Sequence, residues 1–89
     1  MSTFKLPKRL DLAGANTVVK ELREHRGSLE MDGSDVTHLG ALGLQVLVAA
    51  SRDAKARGDT FELKNSSEKM LADMEIMGVS HDQLEEGTV

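Results

Sequence analysis

Hydrophobic side chains recur along this chain in two alternating rhythms. In "STFKLP", residues 2–7, Phe4 and Leu6 share a face at period two, the mark of a short strand, and Pro7 stops it. Next, Ala15, Val18, Val19 and Leu22 recur at helical spacing while Lys20, Glu21, Arg23 and Glu24 face water. Asp11 stands where an N-cap belongs, and Gly27 where the helix should stop. "SLEMD", 28–32, returns to period two, with Leu29 and Met31 between polar neighbours, and predicts a second strand. "GSDVTHLGA", 33–41, reads as a loop. A second helix is expected over 43–57, closed by Gly58. Its first half, "LQVLVAA", is apolar nearly all round, which predicts the most buried helix. Ala49, Ala50, Ala54 and Ala56 would let it lie close against the sheet. "TFELK", 60–64, is a third strand with Phe61 and Leu63 inward. "NSS", 65–67, opens a third helix, with Asn65 and Glu68 at capping-box spacing. Met70, Leu71, Met74 and Met77 form its apolar stripe and Gly78 ends it. "SHDQLEEGTV", 80–89, is polar and acidic and reads as a frayed tail beyond a domain spanning 1–79.

Strands alternating with helices of this length predict an α/β fold: a mostly parallel sheet of at least three strands with three helices, joined by right-handed crossovers. In open α/β sheets, sites lie beyond the C-terminal ends of strands. Loops 7–11, 32–43 and 65–67 hold those positions, and 32–43 is the longest. It enters its helix through glycines, an arrangement that often holds anions on unpartnered helical N–H groups. Yet no Ser, Thr, Lys or Arg stands between Gly40 and Gly43.

Composition narrows the picture. Eighty-nine residues make one small domain. The formal charge is −4, and the 11 basic residues are scattered, which argues against a nucleic-acid partner. Phe4 and Phe61 are the only aromatics, too few for base stacking. With no cysteine there is neither a disulfide framework nor a thiolate metal site, in keeping with a cytoplasmic location. No apolar run reaches the roughly 18 residues of a membrane helix, and "MSTFKLPKRL" lacks a signal-peptide core, so no direct membrane insertion is expected.

The candidate chemistry is sparse. Ser34, Asp35 and His38 suggest a triad, but a triad draws on separate segments, and Asp and Ser in loops more often bond nearby backbone. His25, His38 and His81 lack metal-ligand spacing, and Asp32 with Asp35 lack the further ligands a cation needs. No cofactor is expected. Met70, Met74 and Met77 read as core rather than an adaptable partner surface. Asp82, Glu85 and Glu86 read as a solvated end.

"LDLAGA" at 10–15, followed by residues 29–79 from "LEMDGSDVTHLGALGLQVLVAA" to "MEIMGV", resembles the STAS domain family, which includes bacterial anti-sigma-factor antagonists. The short form, lacking the usual first strand, is similar to STAS proteins of bacterial chemotaxis gene clusters. Accessory STAS subunits of lipid-transporting ABC systems are the nearest rivals. In switch-type members an Asp-Ser-Ser-Gly-Leu loop precedes the helix, and a partner kinase phosphorylates the second Ser. That motif falls on Gly40, Ala41, Leu42, Gly43 and Leu44, so the acceptor position is Leu42, which has no hydroxyl. Thr37 and Ser34 are the nearest hydroxyls, neither at the matching position.

The resemblance implies a non-enzymatic protein-interaction module in bacterial signal transduction. Its implied partner is a chemotaxis histidine kinase or an associated signalling protein. The alternatives are the ATPase of an ABC lipid transporter, or an anti-sigma kinase acting on another hydroxyl. Expected contact residues are Asp32, Ser34, Asp35, Thr37, His38, Gly40, Ala41, Leu42, Gly43 and Gln45. Leu39 and Leu44 should anchor the loop in the core. Leu42 between them is either a partner anchor or an ordinary exposed leucine. A missing first strand leaves a sheet edge less protected, so homodimerisation or strand addition is a further expectation.

Overall fold

The computed structural model describes residues 3–25 and 27–87. Ser2 of the expected first strand, and Thr88 and Val89 of the expected tail, lie outside them. In chain order the elements are β1 (Phe4–Lys5), β2 (Arg9–Leu10), α1 (Leu12–Glu24), β3 (Leu29–Asp32), β4 (His38–Leu39), α2 (Ala41–Ala56), β5 (Phe61–Lys64), α3 (Glu68–Ile76) and α4 (His81–Glu86). One sheet has the order β1-β3-β5, a second pairs β2 with β4, and every pairing is parallel. The α/β fold is the one the hydrophobic rhythm predicts, with one more small sheet and one more helix.

The main sheet has one apolar and one polar face. Phe4, Met31 and Leu63 stand side by side in register, and so do Lys5, Asp32 and Lys64. Because side chains alternate across a strand, the first row lies on the core side and the second faces out. Lys64 bridges Glu30 (3.3 Å) and Glu62 (3.6 Å) on the outer face. The core side buries Leu29, Met31, Phe61 and Leu63 against Val18, Leu44, Leu47, Ala50 and Ala54 of the helices.

α1 begins as expected. The Asp11 carboxylate accepts from the Gly14 N–H at 3.2 Å. α2 begins two residues earlier than its apolar run implies. β2 and β4 deliver the chain to Gly40, whose N–H donates to the Leu10 carbonyl (3.0 Å), while its own carbonyl accepts from Leu44 N–H (3.0 Å). The first turn is therefore set by a tertiary hydrogen bond, and Leu42 belongs to the helix rather than to a loop. For the same reason, 33–41 is not wholly loop, since His38 and Leu39 pair with Arg9 and Leu10. Of the four small residues expected against the sheet, Ala50 and Ala54 are buried, but Ala49 and Ala56 are exposed, being turned away from the sheet by the helical period.

The cap of α3 also differs from expectation. Asn65 adopts a left-handed φ of 54° and closes β5, so it cannot cap. Ser67 does so instead, accepting from Met70 N–H at 3.0 Å. Met70 and Met74 are buried as the stripe implies, whereas Leu71 is exposed.

Residues 80–87 are not a frayed tail. Ser80 and Gln83 form a reciprocal capping box, and Gly87 ends α4 in the left-handed conformation at φ 70°. Leu84 is completely buried, and the Ser51 hydroxyl, itself buried on α2, donates to the Leu84 carbonyl. Leu84 and the Ser51 hydroxyl thus tie the helix to the core from within an otherwise acidic run. Leu84→Ala should therefore cost about 2–5 kcal/mol of stability, as large-to-small core substitutions do. Urea unfolding checks this, and an unchanged midpoint would return 80–87 to the status of a tail.

Candidate protein-docking surface

Eight of the ten expected contact residues fall into two groups with different neighbours, and Thr37 and His38 lie between them. The first is polar and lies at the C-terminal end of the main sheet. Asp32 ends β3 and accepts from Ser34 N–H at 2.8 Å, in an Asx turn. The Ser34 hydroxyl and N–H, and to a lesser extent Asn65 and Lys5, hold its carboxyl below the usual value. Asp35 bridges Lys5 at 3.4 Å, with both side chains well exposed. Exposed pairs of this kind contribute little to stability, so this group is a solvated rim.

Thr37 and His38 cross from the rim toward the helix. Both of their N–H groups point at the Lys8 carbonyl (2.7 and 3.2 Å), and the Thr37 hydroxyl donates to the same oxygen at 3.1 Å. Ser34, Asp35 and His38 thus have separate partners: Asp32 holds Ser34, Lys5 holds Asp35, and His38 lies beside Asp73 and Gly40. Their hydrogen bonds and ion pairs link none of the three to another. Among the described residues no group of three or more His, Cys, Asp or Glu is placed to hold a metal ion.

The second group is apolar and lies on α2. Gly40 caps the helix without a side chain; Ala41, Leu42 and Gln45 face out; Gly43 faces in. A Cβ on Gly43 would come within 2.5 Å of the Leu10 carbonyl oxygen and 2.6 Å of the Leu10 Cβ, so only glycine lets the first turn of α2 lie on β2. Gly14 does the same for α1, where a Cβ would overlap the Arg9 carbonyl oxygen at 1.9 Å. Both helices therefore lay their first turns on the same two-residue strand, β2. Leu12, 62% exposed, and Leu42, 50% exposed, flank one hollow of ≈ 230 Å³ together with Val19, Val46 and Ala49. The hollow continues along the helices into a second of ≈ 380 Å³ that shares Val19, Val46 and Ala49 and ends at Arg23, His25 and Arg57.

Leu12 and Asp73 escape a sequence reading. Leu12 extends the Ala15–Val19–Leu22 stripe by one turn, which signals burial. It is the first residue of α1 and stays exposed. Asp73 lies on the otherwise apolar side of α3 and is 8% exposed. Its Oδ2 accepts from Leu39 N–H at 3.0 Å and its Oδ1 from Lys69 Nζ at 2.5 Å. A buried carboxylate beside a lysine four residues earlier is the only sequence signal of that role. The loop is pinned three more ways: Val36 and Leu39 are buried, Ser67 Oγ donates to the Val36 carbonyl at 2.6 Å, and Ser67 N–H donates to the Gly33 carbonyl at 3.1 Å.

A small α/β domain thus presents a pinned loop and a half-exposed leucine at a helix start. The chain belongs to the STAS family: the family model described as "Mlab, STAS domain" matches residues 3–86. The match runs through α4, in keeping with its place in the fold. No curated protein and no solved structure gives a significant match. STAS domains are generally non-catalytic interaction modules, found among anti-sigma antagonists and transporter accessory modules. No described helix is long and apolar enough to cross a membrane.

The Asp73 contact carries a pH dependence. Lys69, then Leu39 N–H, hold its carboxyl below the ordinary carboxylate value. A lowered folded pKa gives stability that is complete above the unfolded value, about 3.9, and is lost as pH falls through the folded value. Asp73→Ala should lower the urea midpoint at neutral pH, and the gap to wild type should narrow at about pH 3. A gap that stays constant with pH would mean that the charge at Asp73 does not hold β4.

Proposed function

We propose that this chain is a non-enzymatic docking subunit that holds a partner protein through the first turn of α2. Leu42 serves as a fixed apolar contact where related domains carry a phosphorylated serine. The observation that carries this reading is the pairing of Leu42 with Leu12 across one hollow, on helices locked in place by Gly43 and Gly14. Two half-exposed leucines on a rigid frame present a preorganised apolar anchor site, where little ordering cost opposes binding. Gln45 and Asn16 line the same hollow and offer polar contacts beside the anchor.

The pinned loop suits a contact more than a switch. Thr37, the nearest exposed hydroxyl on the helix side, donates to the Lys8 carbonyl, and Ser34 belongs to the Asp32 turn. A phosphate on either would sit on the rim, away from the apolar group. The partner we infer is a component of a kinase-linked signalling pathway, a chemotaxis histidine kinase or a protein associated with it. A second reading, an accessory subunit bound to an ABC transporter ATPase in the cytoplasm, is favoured by the match to the Mlab family model.

Biolayer interferometry of wild-type and Leu42→Asp chains, against the histidine kinase and the transporter ATPase of the same cell, separates these readings. One partner should bind the wild type. A charge placed in the apolar contact should weaken that complex by at least about 2 kcal/mol, roughly thirtyfold. The thermal midpoint should be unchanged, because Leu42 is already half in solvent. Equal affinity of the two chains would overturn the docking surface. Wild-type binding to the ATPase and not to the kinase would overturn the signalling reading in favour of the second.

A further inference from the structure

Among the described residues β5 is an edge strand, with β3 on one side and no strand on the other. In its parallel pairing with β3, Thr60 and Lys64 turn their carbonyls toward β3, accepting from Leu29 N–H (2.8 Å) and Gly33 N–H (2.9 Å). Leu63, one residue off, therefore turns its own N–H and carbonyl outward. Both are met by side chains of α4. Glu85 Oε2 accepts from Leu63 N–H at 2.8 Å, and His81 Nε2 lies 2.8 Å from the Leu63 carbonyl, as donor to it. His81 and Glu85 are one helical turn apart and lie 3.6 Å from each other. Together they give Leu63 the donor and the acceptor that a neighbouring strand would give. The Leu63 carbonyl raises the His81 pKa; burial opposes it, and Glu85 and Asp82 add to it.

Exposed strand edges are templates for further pairing, and proteins cover or charge them to prevent it. The sequence of this edge specifies what the cover keeps out. If two copies of β5 met antiparallel about Leu63, each Leu63 would exchange its outward N–H and carbonyl with its mate. Glu62 would then stand opposite Lys64 of the second copy, and Lys64 opposite Glu62, on the polar outer face. The edge is thus self-complementary in hydrogen bonding and in charge about one two-fold axis, the condition for a closed pair. We propose that β5 is a homodimerisation edge held shut by α4, with His81 and Glu85 as the clasp. It is separate from the Leu42 surface, so each stands or falls alone.

Displacement is local. Only α4, bounded by Gly78 at φ 80° and Gly87 at φ 70°, has to turn away, with Leu84 leaving its socket. Sedimentation equilibrium of the full chain tests this. Wild type should be mostly monomeric, and His81→Ala/Glu85→Ala should shift toward dimer by about tenfold in association constant. Adding Lys64→Glu places Glu62 opposite glutamate twice and should reverse that shift. Adding Glu62→Lys as well restores opposite charges and should restore the dimer. Amide exchange at Leu63 should quicken in the monomer of the clasp variant and slow on dimerisation. A clasp variant that keeps its circular dichroism yet gains no dimer would overturn the proposal. So would a dimer indifferent to the charge at position 64, which would place the contact elsewhere. A clasp variant that loses its circular dichroism would show His81 and Glu85 to be needed for folding rather than for guarding, and would equally overturn it.

Discussion

The backbone of Arg9 and Leu10 is the constraint on which the hollow between α1 and α2 depends. Leu10 offers its carbonyl to Gly40 and lies under Gly43, while the Arg9 carbonyl lies under Gly14. The first turns of two helices thus rest on one two-residue strand, each admitted by a residue without a Cβ. Contacts this close leave little freedom, because a packed interior resists even a displaced methyl group. Leu12 and Leu42, far apart in sequence, become neighbours as a result. The apolar hollow between α1 and α2 is a consequence of that strand rather than of either helix.

The loop leading to α2 is held from the opposite side. Asp73 accepts from Leu39 N–H, Ser67 bonds the Val36 carbonyl, and Val36 and Leu39 are buried. A buried carboxylate is costly unless it is paired and hydrogen-bonded, and Asp73 has both kinds of partner. Fixing a loop in this way lowers the ordering cost that a partner would otherwise meet. The absence of a hydroxyl at Leu42 and the stiffness of the segment before it are therefore consistent features of one surface.

Most of the fold was legible in the residues. Period-two alternation located β3 and β5, helical spacing located α1, and Asp11 marked its cap. The exceptions share one cause. α2 starts at Ala41 because Gly40 reaches Leu10; Ser67, tied to Gly33 and Val36, caps α3 in place of Asn65; and α4 folds because Leu84 finds a socket beside Ser51. Each depends on a partner distant in the chain, which local pattern does not contain. Within the surface, Leu42 was legible as the departure from a motif. Leu12 was not, because its spacing signals burial, and only the position of α1 relative to the sheet end leaves it uncovered.

The sequence by itself determined the class of fold and the inward faces of β3, β5 and α1. These follow from periodicity and side-chain chemistry, which act over a few residues. Tertiary structure alone decided that Leu12 joins Leu42, that Asp73 holds β4, and that His81 and Glu85 close the edge of β5. Those outcomes rest on backbone groups left unpaired by local structure. Which distant side chain reaches them is set only when the helices have packed.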